Sequence, residues 1–546
     1  MKRYSLGVDF GTLSCRAVLV DIDTCEEIIS STADYKHGVI SGVFLDGNPL
    51  AADFALQHPQ DYIDSLIFVI KHCIQNSGVN AADIIGVGVD FTACTLIPVN
   101  EKLDPLCFLE EFKNRPHAYA KLWKHHAAQS EADRINRVAK DMSEPWLDCY
   151  GGTVSCEWLL PKVMEILHND EEIFSRTHRF IEAGDWIVSK LTGKESHSLC
   201  QAGFKGLYSE GGYPGDEFLA ALDERLCGIT KSKISANISP LGITAGFISS
   251  DMAQITGLKE GTPVSPALID AHAALPALGV IKPGALLMIL GTSSCHILLG
   301  DKAICVPGIS GYVKDGIYDG LYAYEAGQSA VGDSFSWFID NCVPKKYYDE
   351  AEKIGVGIHK YLREKASEIA PGSGGVMALD WWNGNRTPYV DGGISGAIIG
   401  LNLTTKPEAI YRALIEATAF GTRRIVEIYE KQGIEIKDVY AAGGIALKDP
   451  LLMQIYADVL GRAISVPKDS ETCAYGSAVL GAVGCGFKNL VEASAYMKKE
   501  MGVIYTPNSD NKKIYDGFYE KYCELSEYFA KNNRAFMSFL KENGNL

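Results

Sequence analysis

The chain has 546 residues, enough for three or four ordinary domains or two large ones, and 47% hydrophobic with 22% charged residues is the balance of a globular protein with a sizeable core. Its formal net charge of −17 disfavours a nucleic-acid partner held on a basic surface, yet leaves room for a small anion gripped by backbone N–H groups. No stretch approaches the ~18 apolar residues of a membrane span, Met1-Lys2-Arg3 leads into too short an apolar run for a signal peptide, and fifteen scattered cysteines without a C-x-x-C read as reduced thiols, so a cytoplasmic location is expected.

Tyr4 to Val8 is an apolar run ending on Asp9; Gly11 and Thr12 then punctuate the chain before a second run, Ala17 to Val20. This predicts a β-hairpin whose turn offers backbone N–H groups to a phosphate, with Asp9 at the strand end where a hard oxygen suits Mg²⁺. A third strand around Ile28 to Thr32 completes a meander. Pro59 to Gln75 has the apolar spacing of an amphipathic helix, and Ile84 to Asp90 reads as a buried central strand. Trp123, in Lys121-Leu-Trp-Lys-His-His126, falls in a segment read as helical. Gln201 to Gly206 reads as a Gly-flanked loop carrying Lys205.

The character changes at Pro263. A strand-like run ends on Asp270, followed by an Ala-rich helix, which places Asp270 at a strand-to-helix junction where N-capping is the plain structural role. Residues 284–300 are again strand, Gly291-Thr292-Ser293 turn, strand. This echo of residues 4–20 suggests two related halves whose hairpins could clamp the phosphates of one nucleotide. Pro407 opens a long helix. Val439 to Ala442 is a strand closed by Gly443-Gly444, a pair that lets backbone approach a flat ligand, and the last ~45 residues have the spacing of surface helices packed on the second half.

Neither G-x-x-x-x-G-K-[ST] nor G-x-G-x-x-G occurs, so P-loop and Rossmann readings lose their support. Asp9-x-Gly11-Thr12 with Ser14 and Arg16, then Gly291-Thr292-Ser293, then Gly443-Gly444, instead resemble in order the actin-like ATPase (ribonuclease H-like) fold. With Asp270-Ala-His-Ala, Tyr-Glu325-Ala-Gly-Gln and the segment Gly396 to Glu416 the chain looks like the FGGY family of carbohydrate kinases, from about residue 4 to residue 486. Asp90-Phe-Thr-Ala93, Lys121-Leu-Trp123, Ala202-Gly-Phe-Lys205 and Asp380-Trp-Trp-Asn-Gly-Asn-Arg386 narrow the resemblance to members acting on a ketopentose. Phe204 departs from it, standing where a histidine is expected.

The resemblance implies an α/β fold of two similar domains, 1–262 and 263–546, with mixed sheets flanked by helices and with ATP and sugar in the cleft between them. It implies ATP contacts at Gly11, Thr12, Thr292, Ser293, Gly443 and Gly444, Mg²⁺ held by Asp9 through water, and sugar contacts at Ala93, Trp123, Lys205, Asp270 and Glu325. Asp270 is the implied general base, ionised at its ordinary pKa and kept so by the helix start behind it. The implied substrate is L-ribulose, phosphorylated on its 5-hydroxyl, with no nucleic-acid or membrane partner and a homodimer left open. Two alternatives remain: a sister kinase acting on xylulose or another polyol, and a conformational ATPase of the actin or chaperone class.

Overall fold

The structure, a computed structural model, describes residues 2–51, 53–235, 237–469, 472–483 and 487–544. The opening hairpin forms as expected: β1 (Tyr4–Phe10) and β2 (Ser14–Asp21) pair antiparallel, and β3 (Glu27–Asp34) extends them. α1 (Pro59–Ser77) starts on a proline, whose missing N–H costs nothing there, and stops at Gly78 in the left-handed conformation. β4 (Ile84–Phe91) then runs parallel to β1. β1 alternates as a strand between two layers must: Leu6, Val8 and Phe10 join Tyr62 and Leu66 of α1 in one core, and Ser5 and Gly7 face the other way.

Three short strands finish this sheet. β5 (Gly246–Phe247) pairs antiparallel with β6 (Pro263–Val264), which lies parallel to β4, and β7 (Leu268–Ile269) lies parallel to β4 nearer its end. A division between residues 262 and 263 therefore cuts the first sheet. The change of composition at Pro263 marks the chain's return to that sheet, and the second sheet begins only at β8 (Ala285–Leu290).

β8 is followed by β9 (Ser294–Gly300), β10 (Gly311–Lys314), β11 (Tyr322–Gln328), β12 (Asp438–Ala442), β13 (Ile464–Pro467) and β14 (Met501–Tyr505). The order is β10-β11-β9-β8-β12-β13-β14. From β11 onward it repeats the first sheet, β3-β2-β1-β4-β6-β5, with the same sequence of antiparallel and parallel pairings.

Two stretches fold otherwise than their local pattern suggests. Ala120–Lys121 is a strand in a small antiparallel sheet with Leu56–Gln57, Leu96–Val99 and Arg179–Glu182, and Trp123 sits in the turn after it; helix resumes only at Gln129. The buried Lys121 ammonium draws this strand inward, 3.1 Å from Glu165. The supposed loop at 201–206 is α2 (Leu199–Lys205). Ser198 caps it by accepting from the N–H of Gln201, and Gly203 is tolerated inside because a Cβ there would lie 2.5 Å from Val313 Cγ1.

The remaining helices place the site. α3 (Asp270–Leu278) leaves β7, α4 (Gly332–Cys342) follows β11, and α5 (Pro407–Lys431) crosses the second core. α6 (Gly444–Lys448) follows β12, and α7 (Thr472–Ala482) returns to cover the first sheet. That last contact is backbone on backbone: a Cβ on Gly7 would meet Ala474 O at 1.9 Å, one on Gly88 Ser477 O at 1.8 Å, and one on Gly476 Ala273 O at 1.8 Å. α8 (Ser509–Glu527) buries Tyr515, Tyr519 and Tyr522 in the second core.

Candidate active site

β1, β4 and β7 are parallel neighbours, so their carboxyl ends bring three aspartates together. Asp9 is in register with Asp90, and Leu268-Ile269, just before Asp270, are in register with Asp90-Phe91. This edge of a parallel sheet is where α/β proteins bind ligands. Asp90 is fully buried; Ser477 Oγ on α7 donates to its Oδ2 at 2.6 Å, and its Oδ1 meets no donor. Burial and then the Asp9 carboxylate push its pKa well above the usual range.

Asp270 is the first residue of α3, one place inside the N-cap position, which Ile269 occupies; its Oδ1 accepts from the N–H of Ala271 at 2.7 Å. It retains some exposure, yet burial, then Asp9, with Glu325 adding, push its pKa up to about 7. The expectation of an ordinary aspartate held ionised by its helix is corrected: the one N–H it accepts is outweighed by desolvation and like charge. Hard carboxylate oxygens crowded together, one of them an orphan on Asp90, are a donor set that fits Mg²⁺.

On the other side of Asp270, Lys205 at the end of α2 donates to Glu325 Oε1 on β11 at 2.5 Å, and His272 Nε2 on α3 is 3.2 Å from Glu325 Oε2. Burial opposes ionisation of Glu325, but Lys205 and His272 outweigh it and hold the carboxyl well below the usual range. The Lys205 ammonium also stands 5.5 Å from the centre of the Trp158 ring. Phe204, where a histidine was expected, turns its ring edge-on to His272 at 4.2 Å, so it packs under the pair.

Trp123 Nε1 donates to Thr12 Oγ1 at 3.2 Å, and Gln57 Nε2 donates to Thr12 O at 2.7 Å, which ties a residue expected at the sugar to the first hairpin. Ala93 lies in a turn that Lys162 fixes: its buried ammonium donates to Cys94 O at 2.6 Å and to Leu122 O at 2.9 Å, next to Trp123.

Each hairpin turn is closed by its glycine N–H, the second turn one residue tighter: Gly11 N donates to Ser14 O at 3.0 Å and Gly291 N to Ser293 O at 2.9 Å. Thr292 is exposed and its carbonyl accepts from Val331 N and Asp333 N, setting the second turn against the start of α4; Ser293 beside it is half-buried. Gly443 is demanded by the fold, with φ +93° and a Cβ that would lie 2.5 Å from Leu290 O, whereas a Cβ on Gly444 would meet nothing, which leaves room for a ligand. Asp380 is structural: it accepts from Gln328 Nε2 at 2.7 Å and from Tyr522 Oη at 2.6 Å.

Sequence reasoning gave no site role to Asp90, His272, Lys162 or Ser477, although Asp90 and His272 stand in motifs that carried the resemblance. For Asp90 a signal existed: Gly88-Val-Asp-Phe91 repeats Gly7-Val-Asp-Phe10, and in both copies the glycine admits α7.

Residues 4–277 match the N-terminal domain, and residues 286–485 the C-terminal domain, of the FGGY family of carbohydrate kinases. The chain is 46% identical to the ribulokinase of Anoxybacillus flavithermus and 46% identical to that of Geobacillus thermodenitrificans, in each case over 99% of this chain and 97% of the relative. Among solved structures, a xylulose kinase from Rhodospirillum rubrum superposes with a TM-score of 0.78 at 22% identity, covering 96% of this chain and 99% of that one.

Proposed function

The chain belongs to the FGGY family of carbohydrate kinases and is a sugar kinase of actin-like fold, and on that premise we propose that it transfers the γ-phosphoryl group of ATP to the 5-hydroxyl of L-ribulose. The observation that carries this reading is the place of Asp270, with Asp9 on one side and the Lys205–Glu325 pair on the other. A base stands there between hard-cation ligands and groups suited to hydroxyls.

In this reading the 5-oxygen forms a bond to the γ-phosphorus, the bond from that phosphorus to the β–γ bridging oxygen breaks, ADP leaves, and the hydroxyl proton passes to Asp270. The transition state is loose, so Asp270 contributes by aligning the hydroxyl as well as by accepting its proton. Lys205 and Glu325, each already ionised by the other, bond sugar hydroxyls, Trp123 covers the C–H surface, and Ala93 bounds the pocket where a larger side chain would intrude. Gly11 and Thr12 on one side and Thr292 and Ser293 on the other hold the phosphates, and Gly443 with the open Gly444 passes along the adenosine. Asp9, with Asp90 behind it, would hold Mg²⁺, which supplies charge neutralisation to the phosphates when bound. The choice of L-ribulose rests on the full-length similarity to ribulokinases. Among the described residues no helix is long and apolar enough to cross a membrane; the fifteen scattered cysteines without a C-x-x-C support the cytoplasmic location we propose.

The test is a coupled ADP-release assay with L-ribulose, D-ribulose, D-xylulose, glycerol and no sugar. Release should be fastest with L-ribulose, with phosphorus NMR locating the phosphate on C5. A faster rate with another polyol overturns the substrate, and equal release without sugar overturns the kinase reaction.

A further inference from the structure

We propose that His272, Cys295 and Glu325 form a site for a soft divalent cation such as Zn²⁺, and that filling it excludes the sugar. The exclusion rests on the reading of Glu325 as a sugar ligand; the metal site does not. One ligand atom from each of the three residues lies within 4.8 Å of the other two. They come from three elements: His272 from α3, Cys295 from β9 and Glu325 from β11. The register pairs Ile297 with Glu325, so Cys295, two residues from Ile297, shares their face of the sheet.

The spacing suits zinc. Nitrogen and oxygen ligands about 2.0–2.1 Å from a tetrahedral ion lie roughly 3.3 Å apart, and His272 Nε2 is already 3.2 Å from Glu325 Oε2. A thiolate bonds at a longer ~2.3 Å, and the Cys295 sulfur, within 4.8 Å of the other two ligand atoms, would draw in to complete the set. Thiol with imidazole and carboxylate selects Zn²⁺ over Mg²⁺, which keeps this site apart from the aspartates at the strand ends. Cys200 Sγ lies 3.4 Å from His272 Nδ1 and gives the second ring nitrogen a partner, as metal-bound histidines require. His272 is fully buried, and burial favours its neutral, ligating form.

Two features make the site reversible. Lys205 holds the other oxygen of Glu325 at 2.5 Å and opposes a second cation, and Cys295 must release its proton as the metal arrives. With three protein ligands the fourth position stays open. Glu325 cannot serve the metal and the sugar together.

The experiment titrates the full chain with Co²⁺, a spectroscopically visible substitute for zinc, and measures Zn²⁺ inhibition of turnover at saturating MgATP. The wild type should show a thiolate-to-cobalt charge-transfer band that Cys295→Ser lacks. Zn²⁺ inhibition should need at least ~10-fold more metal in Cys295→Ser, a change worth about 1.4 kcal/mol, while turnover without zinc stays at the wild-type level and so reports correct folding. L-Ribulose should suppress the band and relieve the inhibition. Absence of the band, or its persistence in Cys295→Ser, overturns the metal site. A band that depends on Cys295 but ignores L-ribulose upholds the metal ligands and overturns the exclusion, and with it the assignment of Glu325 to the sugar.

Discussion

The two hairpins have the same strand directions, the same place in their sheets and a glycine N–H bond closing the turn, one residue tighter in the second, yet their surroundings differ. Asp9 precedes Gly11 by two residues; at the matching place before Gly291 stands Ile289. Thr12 is bonded by Trp123 and Gln57, whereas Thr292 is bonded through its carbonyl by the start of α4. In the reading proposed above both hairpins grip phosphate, but only the first stands beside a row of carboxylates, Asp9, Asp90 and Asp270, and carries the bond to Trp123. A phosphate cradle made of backbone is tolerant of its neighbours; a base and a cation site are not.

The largest effect that would sharpen this contrast comes from Asp270, which has no counterpart after the second hairpin. Asp270→Asn should lower kcat by ~10³-fold or more, in line with removing a general base, with nucleotide affinity largely kept. With the carboxylate as the active form and a pKa of about 7, the kcat/KM of the unsubstituted enzyme should fall as pH drops through about 7. The same shift has a stability consequence. A carboxyl with a raised folded pKa favours the fold below its unfolded pKa near 3.8, and loses that contribution as pH rises through about 7. Metal-free Asp270→Asn should therefore melt higher than the wild type at pH 8, by about 2–4 °C for a chain this long, with the gain shrinking towards pH 5. Equal turnover, or a gain that grows on acidification, would break the argument.

Next in size, Asp9→Asn removes the carboxylate before the first turn, where the second hairpin has Ile289. Activity should drop by about 100-fold and the Mg²⁺ requirement should move to higher concentration, consistent with loss of a metal-holding oxygen. An unchanged Mg²⁺ titration would mean that Asp90 alone holds the cation.

The smallest effects separate the two threonines. Trp123→Phe keeps a ring but removes the N–H to Thr12, a bond worth about 1 kcal/mol, so KM for the sugar should rise by ~5-fold with kcat little altered. Thr292→Ala leaves its two carbonyl bonds in place and should raise KM for ATP by only about 2-fold. A larger effect at Thr292 than at Trp123 would reverse the division of labour between the hairpins.

Much was legible from residues near one another in the chain. The strand–Gly-Thr–strand pattern specified both hairpins, the apolar spacing from Pro59 to Gln75 located α1, and the succession Asp9, Gly291, Gly443 pointed to the actin-like fold, with Asp270 and Glu325 narrowing it to the family. These signals are local, because turn geometry, helix ends and apolar period are set within a few residues. The segments that misled, around Trp123 and Lys205, are those where a buried ammonium is committed to a distant carboxylate. Lys121 reaches Glu165 and Lys205 reaches Glu325, so segments read as helix and as loop from their local pattern are shaped by buried ion pairs.

By itself the sequence determined the duplicated hairpins, the family and the identity of the strand-end aspartate at 270. Only the tertiary structure decided that Asp90 lies between Asp9 and Asp270, that α7 returns from the far end of the chain to donate Ser477 to it, and that Asp270 is driven towards neutrality. Strand order and helix return bring together residues separated by tens to hundreds of positions, and the desolvation and charge they impose on one another exist only once the sheet is assembled.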